Sequence, residues 1–183
     1  MTNVTAVMVE EHKLILRMID LVEKNTRLAE AGRFTDWDFF IDAVDFIRNF
    51  ADRFHHSKEE DILFKSLVEN GMPAENSPVA AMLMAHDQGR AFVRNMEEAA
   101  RKALAGEPDQ TPILADNAYG YVTLLRDHID KEDSILYPLA ERVLPEAMRP
   151  AMVEGYARAE EKTPGVAERY RKVVERYEAK LAA

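Results

Sequence analysis

Two stretches of this chain carry the same residues at the same spacing, and those residues are of the kind that bind metal. His55-His56-Ser57-Lys58-Glu59-Glu60-Asp61-Ile62-Leu63-Phe64 aligns without gaps on His128-Ile129-Asp130-Lys131-Glu132-Asp133-Ser134-Ile135-Leu136-Tyr137, under the shared pattern H-x-x-K-E-acidic-x-I-L-aromatic. On a helix, a His and a Glu four positions apart lie on one face, one turn from each other. His55 with Glu59 and His128 with Glu132 could therefore present two imidazoles and two carboxylates to one point. His12 and His86 add two further imidazoles, 43 residues before His55 and 42 residues before His128. Imidazole and carboxylate without sulfur suit iron, manganese or zinc, and donor type alone does not choose among them.

Helical phase supports the same set. Ala51, Ile47 and Val44 precede His55 on its line, and Glu59 and Ile62 follow it, so that line points inward. The neighbouring line holds Asp45, Asn49 and Asp52 behind His56, which places His56 and Glu60 on the flank as the second-ranked register. Tyr121, Leu124 or Leu125, His128, Glu132 and Ile135 share a face, as do Val79, Leu83, His86 and Val93. Four histidines and two glutamates on core-facing lines are costly to bury unless something pairs with them, and metal ions would supply that partner.

Each residue taken singly has a bland explanation. A lone His on an apolar face is more often a satisfied core or surface histidine, and a single H-x-x-x-E is a common helix-surface pair. The conjunction carries the argument, since four of only five histidines share this arrangement and the fifth adjoins one of them. The competing reading is a plain helical bundle whose duplicated hairpin retains an inherited pattern. Met82, Met84 and Met96 read as core filler rather than ligands, and Lys58 and Lys131 as solvated positions.

The elements that must position these groups are helices, because apolar residues recur at spacings of three and four and strand alternation is absent. The first helix is expected from about Asn3 to Glu30, closed by Gly32. The second covers about Asp36 to Asn70, before Gly71-Met72-Pro73. The third opens on the cap Ser77-Pro78 and ends at Gly106, and the fourth opens on Thr111-Pro112 and runs to about Val143. Pro138 inside that span predicts a kink or an early stop. Short connections imply an all-α, up-down-up-down four-helix bundle over residues 1–145. Residues 146–183 form a C-terminal helical extension of two stretches separated by Thr163-Pro164-Gly165. Its last stretch aligns Val166, Tyr170, Val173 or Val174, Tyr177 and Leu181 on one face, for packing on the bundle or on another subunit.

Helical rise tests whether the ligands meet. His12 and His86 lie roughly 13 Å along ascending helices, Glu59 and Glu132 roughly 16 Å before the ends of descending ones, and His55 and His128 one turn higher. All six fall in one layer.

Composition narrows the function. The net charge of -9 and the lack of a basic stripe exclude a nucleic-acid binder. The lack of cysteine excludes disulfides, thiolate metal sites, iron–sulfur clusters and cysteine nucleophiles. Met1-Thr2-Asn3-Val4 lacks the basic start and apolar run of a signal peptide, and no window of about twenty residues is free of charge, so no membrane association is expected and the cytoplasm is the expected compartment.

The segments HHSKEEDILF and HIDKEDSILYP, the early pair Glu11-His12 and AHDQGR around His86 resemble the hemerythrin HHE cation-binding family over about residues 5–145. The resemblance implies a four-helix bundle with a non-heme di-iron centre and two bridging carboxylates. It assigns His12, His55, Glu59, His86, His128 and Glu132 as metal ligands. One departure stands out. Oxygen-carrying hemerythrins place a second histidine one turn after the third-helix ligand, where this chain has Arg90. A cation aimed at two metal ions would be repelled, so Arg90 is expected to turn to solvent or to pair with a carboxylate. Four imidazoles, two bridging carboxylates and a bridging oxygen supply about ten donor positions, where two six-coordinate irons need about twelve. The remainder would be open or held by water or another side chain such as Tyr121.

The function expected is therefore a di-iron protein that binds oxygen or another small diatomic ligand as store, sensor or scavenger. The alternative is a di-iron enzyme acting on peroxide or nitric oxide, or an iron donor to a partner. A third reading is a purely structural role, and a homodimer or a protein partner could dock on the C-terminal helices. The E-x-x-H pairs of ferritin-like carboxylate bundles are missing.

Overall fold

Six helices and no strand are found among the described residues, 2–33 and 36–182 of a computed structural model. Met1 and Ala183, the outer bounds of the two expected segments, lie outside them.

Helix α1 spans Ala6–Glu30. Asn3 Oδ1 accepts hydrogen bonds from the Thr5 and Ala6 amides at its start, and Gly32 takes a φ of +64° just past its end. Helix α2, residues 38–69, changes pitch along its length. It is α-helical over Asp38–Phe46, π-helical over Ile47–His56 and again over Glu59–Phe64, and α-helical over Lys65–Glu69. Helix α3 spans Pro78–Leu104, and Ser77 Oγ accepts from the Ala80 amide at 3.2 Å, satisfying one of the free donors of the first turn.

Helix α4 covers residues 110–143: α-helical over Gln110–Lys131, π-helical over Glu132–Leu136 and α-helical over Tyr137–Val143. Its cap is Asp109, at a φ of +59°, and not Thr111. Pro112 still falls in the first turn, where a missing N–H costs nothing. The helix passes through Pro138 without stopping, and the π-helical turn lies directly before it. Helices α5 (Arg149–Glu161) and α6 (Val166–Ala182) flank the Thr163-Pro164-Gly165 break.

Helix α4 packs along both α3 and α1, α2 packs on α3 and on α1, and the four long helices thus close a ring. Small residues permit the tightest approach: a Cβ at Gly120 would lie 2.6 Å from the Phe92 ring.

Two apolar clusters fill the interior. One gathers Ile15, Ile19, Phe46, Phe50, Val93 and Tyr121, and the other Met8, Leu63, Phe64, Met82, Leu136 and Tyr137. The C-terminal face seats on the chain's own helices: Tyr170 lies against Phe46 and Phe50, and Tyr177 against Phe39. Helix α5 adds Met152 and Tyr156 to the second cluster.

The π-helical turns move side chains by one position relative to an even 3.6-residue count, because each i→i+5 bond adds a residue to the turn. Leu63 and Leu136 are buried where the even count favours Ile62 and Ile135, and Ile135 is 57% exposed. On α3, Met82 rather than Leu83 faces inward.

Candidate metal centre

A buried polar layer separates the two apolar clusters. Along α1 it falls between Met8 and Ile15, and along α3 between Met82 and Val93. His12, His55, Glu59, His86, His128 and Glu132 all sit in it, each at most 3% exposed. His56 joins them and is buried too, contrary to the flank position that an even helical phase assigns it. The π-helical stretch that ends at His56 widens the turn, so that two consecutive histidines both point inward.

Two sets of donor atoms result, and within each set all atoms lie within 4.8 Å of one another. The first set is His12, His55, Glu59 and Glu132, and the second is His56, Glu59, His86 and His128. Glu59 belongs to both: its Oε2 lies 3.7 Å from His55 Nε2 and 3.5 Å from His86 Nε2. Glu132 straddles them likewise, with Oε2 3.4 Å from His12 Nε2 and Oε1 3.1 Å from His128 Nε2.

Four of the five imidazoles are fixed from behind, and His128 Nδ1 is buried with no partner. His12 Nδ1 faces Asp133 at 2.8 Å, His55 Nδ1 faces Glu11 at 2.8 Å, His86 Nδ1 faces Glu60 at 2.7 Å and His56 Nδ1 faces Asp52 at 3.4 Å. A carboxylate on Nδ1 makes that nitrogen the donor and leaves the lone pair on Nε2. Yet His12 Nε2 stands 3.0 Å from His55 Nε2, and His86 Nε2 3.0 Å from His128 Nε2. Ring nitrogens so close require a proton or a metal cation between them, and for His12 and His55 the carboxylates on both Nδ1 atoms turn two lone pairs toward each other.

The carboxylates make the same demand. Glu59 Oε2 and both oxygens of Glu132 are buried with no hydrogen-bond partner. Glu59 Oε1 alone is served, by the Tyr137 hydroxyl at 2.5 Å. Phe64, the repeat counterpart of Tyr137, stacks near His86 but carries no hydroxyl, so nothing equivalent reaches Glu132. Burial, and then the charge of Glu132, pushes Glu59 well above the usual carboxylate range. Burial opposes charge on His12, but its hydrogen bonds to Asp133 and Glu132 outweigh that and raise it to about 9. Burial, and then the His12 charge, holds His55 well below the usual range. Nitrogen and oxygen donors that call for cations at two adjacent points fit a pair of metal ions.

Cations stand behind the outer carboxylates. Arg90 donates to Asp52 at 2.7 Å and to Glu60 at 2.8 Å, and so turns away from the donor sets to brace two of their supports. Lys58 donates to Glu11 and, at 3.1 Å, to Glu160. The solvated reading of Lys58 fails, because it is fully buried under α5, whereas Lys131 stays exposed beside Asp127. A cavity of about 270 Å³ opens on the second donor set, lined by Asp52, His56, His86, Arg90, Tyr121 and His128 among others.

All six residues expected as ligands are thus brought together, with His56 added. Glu60 and Arg90 lie behind the donors, and Tyr121 lines the cavity. Glu11, Asp52, Asp133 and Tyr137 stand in the motifs read from the sequence, but their roles as partners of the donors are not read there. Their sequence signals are adjacency to a candidate ligand for Glu11, a place in the repeat for Asp133 and Tyr137, and a spacing of four before His56 for Asp52.

Fold and site together define an all-helical protein with clustered buried His and Glu side chains able to hold metal. The family model of the hemerythrin HHE cation binding domain matches residues 3–140, and the chain belongs to that family. Among curated proteins it is similar to uncharacterized proteins of Mycobacterium bovis and of two strains of Mycobacterium tuberculosis, 21% identical over 137 residues, which is 75% of this chain and 53% of each relative. The chain therefore spans about half the length of the curated relatives it matches. No solved structure matches it. No described helix is long and apolar enough to cross a membrane.

Proposed function

We propose that the chain is a non-heme di-iron protein, an up-down-up-down four-helix bundle that binds oxygen or another small diatomic ligand as store, sensor or scavenger. The observation that carries this reading is the two pairs of facing imidazoles, His12 with His55 and His86 with His128, spanned by Glu59 and Glu132. Manganese or zinc would suit the same donors. His12, His55, Glu59 and Glu132 would hold one ion, and His56, His86, His128 and the same two carboxylates the other. Iron, when bound, supplies a redox-active centre that accepts a small ligand.

The protein's own share is orientation and access. Asp133, Glu11, Glu60 and Asp52 fix the rings of His12, His55, His86 and His56, and Tyr137 holds one oxygen of Glu59. The apolar clusters above and below keep bulk water away. The cavity beside His56, His86 and His128 gives a small molecule room next to the second donor set. His56 supplies the fifth imidazole in place of the one absent at position 90, which leaves fewer coordination positions unfilled than four imidazoles would.

The test is elemental analysis of the purified chain by inductively coupled plasma mass spectrometry after anaerobic iron loading. About two irons per chain are expected, as two bridged donor sets require. Thermal stability should rise with loading, by about 4 kcal/mol at a thousandfold excess over Kd. No metal uptake, or a melt unchanged by iron, would overturn the reading.

A further inference from the structure

Helix α5 lies beyond residues 3–140, which match the family model, yet it reaches the donor layer. Its Glu160 accepts from Lys58 Nζ at 3.1 Å. Lys58 also donates to Glu11 Oε1, its ammonium sits 3.9 Å above the Phe54 ring, and the side chain is fully buried. The other oxygen of Glu11 faces His55 Nδ1 at 2.8 Å. A continuous line of charge-assisted contacts therefore runs from the C-terminal segment to one imidazole of the first donor set. The packing agrees: a Cβ at Gly155 of α5 would stand 3.2 Å from Ile62, three residues beyond Glu59.

The repeat supplies an internal control. Lys131 occupies the place of Lys58 in the second half, but it pairs with Asp127 on the same helix and lies half exposed. No described helix covers Ile135, the counterpart of Ile62, which is 57% exposed. The two halves are alike in sequence and differ in what lies over them.

We infer that α5 is a working part of the metal centre, with Glu160 and Lys58 as positioning residues that hold Glu11, and through it His55, for the ion of the first donor set alone. The inference rests on the metal-centre reading above. The physics is that of outer-shell support: a buried ammonium neutralises the carboxylate that fixes a ligand ring, and such partners typically govern about 10–100-fold in metal affinity. Without Lys58, Glu11 would be a buried, uncompensated carboxylate and would leave His55 free to reorient.

The test is metal loss from the full chain, loaded with Co(II) and mixed with excess chelator. The release course is followed by absorbance, with two ions released per chain. Lys58→Met should speed release of one ion by about 10–100-fold and leave the other within about twofold. Glu160→Gln, a change at a part-exposed position that keeps an oxygen acceptor for Lys58, should speed the same phase by a smaller factor. Lys131→Met should match the parent protein, and melting of the Glu160→Gln variant should stay unchanged. Release of both ions at parental rates in Lys58→Met and Glu160→Gln would overturn the inference, as would equal acceleration of both phases. If the parent chain binds no Co(II) and no iron, the metal-centre reading itself falls. Two ions bound by the parent with no phase-selective effect would refute only the role of α5.

Discussion

His56 stacks on His86, with ring centroids 3.7 Å apart and planes inclined by 11°. The two rings come from different helices, and Asp52 and Glu60 behind them share one guanidinium, that of Arg90. This pairing places a fifth imidazole at the second donor set. His56→Ala is expected to weaken one of the two ions by at least about tenfold, since removing a ligand should cost no less than removing an outer-shell partner. Metal content after dialysis against a weak chelator should fall from about two per chain to about one. Two ions retained would show that His56 is only a packing residue.

Tyr137 donates its hydroxyl to Glu59 Oε1 at 2.5 Å inside the layer. Tyr137→Phe keeps the ring that stacks on His12 and removes that donor. The metal-free protein should lose about 1–3 kcal/mol, the cost of leaving a buried acceptor unpaired. Urea denaturation of the two apo proteins measures the difference, and coincident midpoints would count against the hydrogen bond.

Arg149 is the largest fully buried side chain and ties three segments together. It donates to the Thr2, Glu141 and Leu144 carbonyls and pairs with the Glu141 carboxylate at 2.5 Å. Arg149→Met should destabilise the chain by about 3 kcal/mol, the lower end for a broken buried pair because Glu141 retains some contact with water. Exchange of the amides in α5 should speed up in step, which hydrogen–deuterium exchange would read.

Tyr170 anchors α6 through a 2.7 Å hydrogen bond to Asp45. Burial, followed by that bond, pushes its hydroxyl up to about 12. A folded value above the unfolded one near 10 means that the neutral phenol stabilises the fold. Stability from this group is therefore complete below pH 10 and is lost as the pH climbs through about 12. Tyr170→Phe should flatten that part of the stability curve, and an unchanged alkaline slope would disprove the assignment.

Much of the architecture is legible in local chemistry. Gly32, Ser77-Pro78 and Thr163-Pro164-Gly165 punctuate the helices where their backbone preferences require, and the apolar spacing makes the segments between them helical. The six candidate ligands could be placed in one layer because helical rise is constant enough to count along.

The count fails where the pitch changes. Three π-helical stretches lie in or next to the donor segments, and each shifts the phase by about one residue. That shift is what buries His56 and Leu136 and turns Ile135 outward, and no pattern of apolar residues announces it. Two of the outer carboxylates belong to the same class, because Glu11 and Asp133 gain their roles only when separate helices meet, whereas Asp52 lies one turn before His56 on the same helix.

The sequence by itself determined the donor types, their repeat and the helices that carry them, since these depend on residue chemistry and on spacing within a turn. Tertiary packing alone decided what surrounds the donors. Lys58 and Lys131 occupy equivalent places in the repeat, but α5 lies over the first and nothing described lies over the second. A lysine's burial is set by what packs upon it and by the carboxylates that packing brings, and for Lys58 those come from other helices, Glu11 47 positions before it and Glu160 102 positions after.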